Sequence, residues 1–165
     1  MLLPRARFDG RQPTGRYLRP DPNARIGASL FAMTEIFEIE TGAPEQSIDV
    51  TERVSEIVKR AGVQHGSAQV MVLHSTAAIV VNETADANIG RDVIRALGEL
   101  VPRHHDWLHD RIDDNAHSHV KASLLGPSET VPIVSGELLL GTWQGIWLFE
   151  FDGPRTRRVA VHITG

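Results

Sequence analysis

Histidine offers the most reactive chemistry in this sequence, because five of its eight histidines lie between His104 and His119. His117 and His119 flank one serine at the start of a segment that we expect to be a strand, where alternation places both rings on one face. With His109 from the preceding Asp-rich loop, they would leave an open fourth position on a divalent ion such as Zn²⁺. The alternative is a merely solvated polar loop, because His-x-His alone is a weak motif.

A second candidate group follows an apolar stretch that ends at His74. Ser75, Thr76 and the alanines after them are small, so backbone N–H groups can approach a ligand closely. Together with the Ser75 and Thr76 hydroxyls, and with Lys121 on what we expect to be a neighbouring strand, they would hold a phosphate. Ordinary turn chemistry at a strand end is the alternative interpretation.

Two further positions are candidates for ligand contact. Glu83 lies just outside a predicted helix, where a carboxylate can act as a metal ligand or a general base. Glycines at 141 and 145 surround Trp143 and Gln144. Glycines destabilise a strand unless its backbone has to bend there or come close to a ligand. On this interpretation, a flat ligand would stack on Trp143 while Gln144 forms hydrogen bonds to the edge of that ligand. A tryptophan that simply packs in the core is the alternative.

Composition excludes several classes of function. The chain has 165 residues, a length typical of one domain, with 41% hydrophobic and 23% charged residues as in soluble globular proteins. It contains no cysteine, which excludes disulfides and thiolate nucleophiles. A net charge of −4 argues against nucleic acid as a partner. No window resembles a membrane span or a signal peptide, so we expect a cytoplasmic protein.

The charge distribution divides the chain near residue 33. Residues 1–33 contain six arginines against two aspartates, a charge of +4, whereas residues 34–165 carry 11 basic and 19 acidic residues, a charge of −8. The first segment is also rich in proline and poor in apolar periodicity, so we expect a basic extension without a packed core. A transit peptide, or a natural start at Met33, are the alternatives. Residues 34–165 are expected to form the folded domain.

Periodicity within that domain predicts an α+β fold. Apolar spacing of three and four residues predicts one helix that ends before Gly62 and a second between Asp86 and Pro102. Strands are expected at 36–39, 69–73, 79–81, 120–125, 130–134, 137–140, 145–151 and 158–163. Turn residues separate the later strands, which favours antiparallel neighbours in the C-terminal half.

Four ordered motifs in residues 34–165 resemble the YjbQ-like family, also described as secondary thiamine-phosphate synthase enzymes. They are His74–Glu83 with Asp86, Asn115–Ser128, Leu140–Ile146 and Glu150–Arg155. The resemblance implies an α+β fold with a β-sandwich and two helices. It also implies a homotrimer whose sheets pack about the threefold axis, with sites near subunit boundaries.

The resemblance also implies an activity, the weak condensation of a pyrimidine diphosphate with a thiazole phosphate. On this basis the expected catalytic residues are His74, Glu83, His119 and Lys121. The expected substrate-binding residues are Ser75, Thr76, Asn115, Ser123, Trp143 and Gln144. A divalent metal ion, Zn²⁺ or Mg²⁺, is expected on His109, His117 and His119. The alternatives are a metal-dependent hydrolase of a small phosphate ester and a non-enzymatic trimeric metabolite-binding protein.

Overall fold

The computed structural model describes residues 31–165, so the predicted basic extension falls outside the described residues except for its last three. Of these, Ala32 and Met33 belong to the first strand. The strands are β1 (Ala32–Glu40), β2 (Gln46–Asp49), β3 (His65–Val72), β4 (Ala77–Glu83), β5 (Ser128–Val134), β6 (Glu137–Leu138), β7 (Gln144–Glu150) and β8 (Thr156–Thr164). The helices are α1 (Thr51–Ala61), α2 (Ala87–Leu100) and α3 (Ala116–Leu125), with a short 3₁₀ turn at His109–Arg111.

The strands form two antiparallel sheets that enclose the main core. The larger sheet has the order β1-β8-β3-β5-β6 and the smaller one β2-β7-β4. Alternation along each strand turns one set of aliphatic side chains inward. The core includes Val70, Val72, Ile79, Val131, Ile133, Ile146, Leu148, Val159, Val161 and Ile163. The predicted α+β class and its antiparallel sheets are therefore confirmed.

Helices α2 and α3 cover the outer face of the smaller sheet. The alternate residues of β7 point outward, so Trp147 and Phe149 form a second apolar cluster with Phe151, Leu97 of α2 and Ala122 of α3. This layer fixes α3 beside the end of β4. No helix among residues 31–165 is long and apolar enough to cross a bilayer.

The segment 120–125, which we expected to be a strand, is helical. It belongs to α3, a third helix where the resemblance implies two. The buried positions of α3 include His117, Ser118, Lys121 and Ala122, which recur with helical spacing. Three of these four are polar, so the sequence of α3 shows no apolar stripe typical of a helix. Its short apolar run at 120–125 has the length of a strand, which is why the prediction was wrong.

Candidate active site

His74 lies in the turn between β3 and β4 and is oriented by Thr76. Its Nδ1 accepts the Thr76 backbone N–H at 3.4 Å and lies 3.0 Å from the Thr76 hydroxyl oxygen. A backbone N–H can only donate, so Nδ1 carries no proton and the neutral ring is protonated at Nε2. His74 therefore presents an N–H donor on the side of the ring away from Thr76.

A buried ion pair fixes Thr76 in turn. Arg157 of β8 donates from Nη2 to the Thr76 hydroxyl at 3.0 Å and makes two hydrogen bonds of 2.5 Å to Glu150 of β7. Thr41 donates a further hydrogen bond to Glu150. Since the Thr76 oxygen accepts from Arg157, its own proton is available for His74 Nδ1. The pair thus supports the orientation of His74 through a chain of hydrogen bonds.

This ion pair is not among the features predicted from the sequence above. Glu150 and Arg157 are 0% and 1% exposed. Alternation was the available signal: Glu150 shares the inward face of β7 with Leu148, and Arg157 shares that of β8 with Val159. A carboxylate and a guanidinium on two inward faces predict a buried pair, since isolated buried charges are very unfavourable.

His119 reaches the same depression from α3. His74, Ser75, His119 and Ser123 line a depression with a volume of 220 Å³. The ring of His109 packs edge-on against His119 with 5.1 Å between ring centroids. The structure therefore brings together six of the predicted site residues, which are His74, Ser75, Thr76, His109, His119 and Ser123.

His117 and Lys121 lie on the other side of α3, contrary to the expectation of a shared strand face. Successive helical residues are rotated by about 100°, so positions 117 and 119 are related by a rotation of about 200° and point to nearly opposite sides of the helix. Lys121 is 2% exposed and its ammonium pairs with Glu45 at 2.5 Å, which places it away from the depression. Asn115 precedes α3 on the same side as His117 and bonds Asp152.

The predicted set of three metal ligands is consequently split between two sides of one helix. Across residues 31–165, no group of three or more His, Asp or Glu side chains is placed to hold a metal ion. His109 and His119 alone remain adjacent. Two imidazoles do not complete the three-ligand site that a catalytic metal normally uses.

Glu83, Trp143 and Gln144 lie at the opposite end of the smaller sheet. Ala77 pairs with Glu150 at the end near His74, whereas Glu83 pairs with Gln144 six residues further along β4. At about 3.3 Å per residue this separation is roughly 20 Å. Trp143 is 65% exposed. Within one chain these residues do not contribute to the depression that contains His74 and His119.

The electrostatic surroundings keep two of these histidines neutral. Partial burial, with the nearby Arg157 guanidinium as a second cause, lowers the pKa of His74 below its usual 6.5. Burial and the Lys121 ammonium lower the pKa of His117 in the same direction. At neutral pH the two rings are therefore uncharged hydrogen-bonding groups.

We expect the folded state to lose stability as the pH falls below about 6.5. The unfolded chain then binds protons at positions 74 and 117 that the folded chain still excludes, so the free energy of unfolding decreases with decreasing pH. The stabilisation is fully present at pH values above the pKa that these histidines have in the unfolded chain. It is lost as the pH falls towards their lower pKa in the folded protein. Urea unfolding at a series of pH values measures it. A His74→Asn variant should show a shallower pH dependence, and an unchanged slope would contradict this assignment.

This chain is similar to a known protein family over nearly all of its described residues. The model for "UPF0047 protein YjbQ-like" matches residues 35–165. A UPF0047 protein of Methanocaldococcus jannaschii is 40% identical over 129 residues, covering 78% of this chain and 92% of that protein. The UPF0047 protein YugU of Bacillus subtilis is 37% identical over 133 residues, covering 81% and 100%.

Solved structures show the same fold. A YbjQ-like protein of unknown function from Sulfolobus solfataricus is 36% identical with a TM-score of 0.80, over 82% of this chain and 99% of that one. A YjbQ/UPF0047 protein from Clostridium acetobutylicum is 43% identical with a TM-score of 0.75, over 78% and 98%. The two-sheet architecture is thus common to this chain and these proteins.

Proposed function

The chain belongs to the UPF0047 family of YjbQ-like proteins, and we propose that it is a transferase acting on a small phosphorylated heterocycle bound between His74 and His119. The observation that carries this proposal is the fixed His74 ring, which offers an Nε2–H donor to a depression that it shares with His119. Phosphate oxygens are hydrogen-bond acceptors and match a donor-lined depression. The substrate class follows the resemblance described above.

The proposed reaction forms a C–N bond and releases pyrophosphate. The ring nitrogen of a thiazole phosphate attacks the methylene carbon of a pyrimidine diphosphate, and the C–O bond to the diphosphate breaks. The electron pair of that bond leaves with pyrophosphate. The nitrogen is nucleophilic without deprotonation, so the reaction needs little general-base catalysis. Its main requirement is stabilisation of the charge that develops on the leaving group.

His74 and His119 supply that stabilisation in the proposal. A pre-oriented donor lowers the barrier because it need not reorganise when charge develops. Thr76 and Arg157 hold the His74 ring before substrate arrives, and His109 packs against His119. The depression is open to solvent on one side, so a substrate can enter without a large rearrangement. Ser75 and Ser123 line its wall.

No step of the proposed reaction uses a metal ion, because His109, His117 and His119 do not lie close enough together to bind one ion. We therefore expect turnover and phosphate binding to survive treatment with a chelator followed by dialysis. Metal analysis of the purified protein, together with activity before and after chelation, measures this. A loss of activity that only one added divalent ion restores would contradict the assignment and return metal assistance to the mechanism.

The reaction is tested by incubating purified protein with the pyrimidine diphosphate and the thiazole phosphate and quantifying thiamine phosphate and pyrophosphate. Equal amounts of the two products are expected. A panel of phosphate esters serves as the control, because phosphate release from an ester without condensation would indicate a hydrolase. An unchanged ligand that remains bound through purification, with no turnover, would indicate a binding protein. Either outcome would refute the transferase proposal.

We further propose that the protein assembles as a homotrimer through the outer face of the larger sheet. In the described part of the chain neither helix nor strand covers this face. Ile36, Ala160 and Met71 form a row across β1, β8 and β3, and Ile36 and Met71 are 45% and 40% exposed. A row of exposed apolar side chains is typical of a surface that is buried on association. The resemblance implies the trimer.

The double variant Ile36→Lys, Met71→Lys is expected to be monomeric, because each subunit would then bury two charges without partners in the interface. Light scattering coupled to size-exclusion chromatography measures the mass. Glu99→Lys on the exposed surface of α2 serves as the matched control and should leave the trimer intact. A monomeric wild type, or a double variant that remains trimeric, would contradict the proposed interface.

A further inference from the structure

A second cavity lies on the opposite side of α3 from the His74 depression. It has a volume of 320 Å³ and is lined by Glu45, Arg103, Asp114, His117 and Asp152, among others. His117 in the first turn of α3 belongs to its wall and is 5% exposed, and Asn115, which directly precedes this helix, is 7% exposed. The function proposed above does not use this cavity.

The hydrogen bonds of His117 leave a buried acceptor. The Ser118 hydroxyl donates its single hydrogen to the carbonyl oxygen of Phe151. It can therefore only accept from His117 Nε2, which lies 3.3 Å away. A second proton on Nδ1 would have no acceptor among residues 31–165, so with the ring proton on Nε2 the Nδ1 atom is an unprotonated acceptor. No group among residues 31–165 donates to it.

Asn115 leaves a second acceptor of the same kind. Its amide nitrogen donates to Asp113 and to Asp152, at 3.2 Å in each case. Two carboxylate acceptors fix the orientation of the amide, because the carbonyl oxygen would be repelled at that position. The Oδ1 atom therefore points elsewhere, and it is buried without a donor in the described structure. Buried polar atoms are normally paired, so both acceptors indicate a missing donor.

The charged side chains around the cavity disfavour an anion as its occupant. Lys121 pairs with Glu45, Arg103 with Asp114, and Arg155 with Asp152. Each cation near the cavity thus already has a carboxylate, and an incoming phosphate would compete with three of them. The acceptors without a partner in the described structure are His117 Nδ1 and Asn115 Oδ1, and a ligand that donates hydrogen bonds matches these two atoms. The two sides of α3 therefore differ in chemistry, with donors at His74 and acceptors at His117.

We propose that this cavity binds a small molecule with two N–H donors, of the amidine, guanidine or amino-heterocycle class. Its N–H groups donate to His117 Nδ1 and to Asn115 Oδ1. The carboxylates at the rim also tolerate a positive charge on such a ligand. This site is independent of the reaction at His74, so it can bind its ligand whether or not the protein is a transferase.

The full-length protein can be titrated with acetamidine, guanidinium and 4-aminopyrimidine, with inorganic phosphate as the anionic control. Calorimetry gives affinities, and ¹⁵N NMR of the histidine rings reports Nδ1 of His117 directly. We expect at least one donor probe to bind and to shift this nitrogen. His117→Phe should weaken binding about tenfold through loss of one hydrogen bond, and His119→Asn should leave it unchanged.

The ring signal of the wild-type protein keeps the test decisive if His117→Phe does not fold. A His117 Nδ1 signal that none of the three donor probes shifts would overturn the proposal. So would equal binding by wild type and His117→Phe. A crystal structure with a single water bridging His117 and Asn115, unchanged in the presence of the probes, would also overturn it by supplying the missing donor.

Discussion

Replacing Glu150 with glutamine is expected to lower the free energy of unfolding by about 3–5 kcal/mol, because it leaves the Arg157 guanidinium buried without a counter-charge. Both side chains are essentially inaccessible to solvent, and the pair is joined by two short hydrogen bonds. Glutamine has nearly the same shape as glutamate, so little packing is lost. Urea unfolding of the two proteins at pH 7 measures the difference.

An exposed ion pair provides the matched control. Arg95 and Glu99 form a pair on the surface of α2, with side chains 80% and 72% exposed. Glu99→Gln should change the free energy of unfolding by less than about 1 kcal/mol, as expected for a surface pair. Changes of similar size for Glu150→Gln and Glu99→Gln would show that the Glu150–Arg157 pair does not support the fold as described.

Replacing His74 with phenylalanine is expected to reduce kcat about 10²- to 10³-fold, the usual effect of removing one donor from a site where negative charge develops. Phenylalanine keeps a flat ring in the turn after β3 but has no N–H. The measurement is steady-state formation of pyrophosphate. His105→Phe is the matched control, because His105 lies in the loop beside Trp107 and outside the depression.

The Thr76→Val variant tests how much the orientation of the His74 ring contributes when the ring itself is retained. The valine removes the hydroxyl between Arg157 and His74 but leaves the imidazole in place, so we expect a smaller loss of kcat than in His74→Phe. Only the longer backbone N–H contact to Nδ1 then remains, so the proton of the ring should be less strictly confined to Nε2, which ¹⁵N NMR detects. Full activity of the His74→Phe variant would show that His74 takes no part in the mechanism. An unchanged His74 ring signal in Thr76→Val would show that the Thr76 hydroxyl does not orient this ring.

Much of the fold could be predicted from the sequence, because most of its elements obey simple periodicities. Alternation identified the strands of the C-terminal half, and the three- and four-residue spacing identified α1 and α2. Helix α3 was missed because its buried stripe contains His117, Ser118 and Lys121. Polar side chains that are buried for hydrogen bonding are invisible to a search for apolar periodicity.

The candidate site was predicted only in part, for a similar reason. His74, Ser75 and Thr76 are adjacent in sequence, so local reasoning was sufficient to group them. The partner of Lys121 is Glu45, which lies 76 residues away in the sequence. No local sequence pattern predicts that ion pair. His119 reaches the depression as expected, but from a helix, and for that reason His117 points to a different cavity.

The most direct test of the central claim is ¹⁵N NMR of the His74 ring during titration with pyrophosphate. We predict that in the free protein the proton resides on Nε2 and that Nδ1 is unprotonated. On addition of pyrophosphate, the Nε2–H signals of His74 and the ring signals of His119 should shift, and those of His105 should not. A proton on Nδ1 of His74, or rings at 74 and 119 that do not respond to pyrophosphate, would contradict the proposed site.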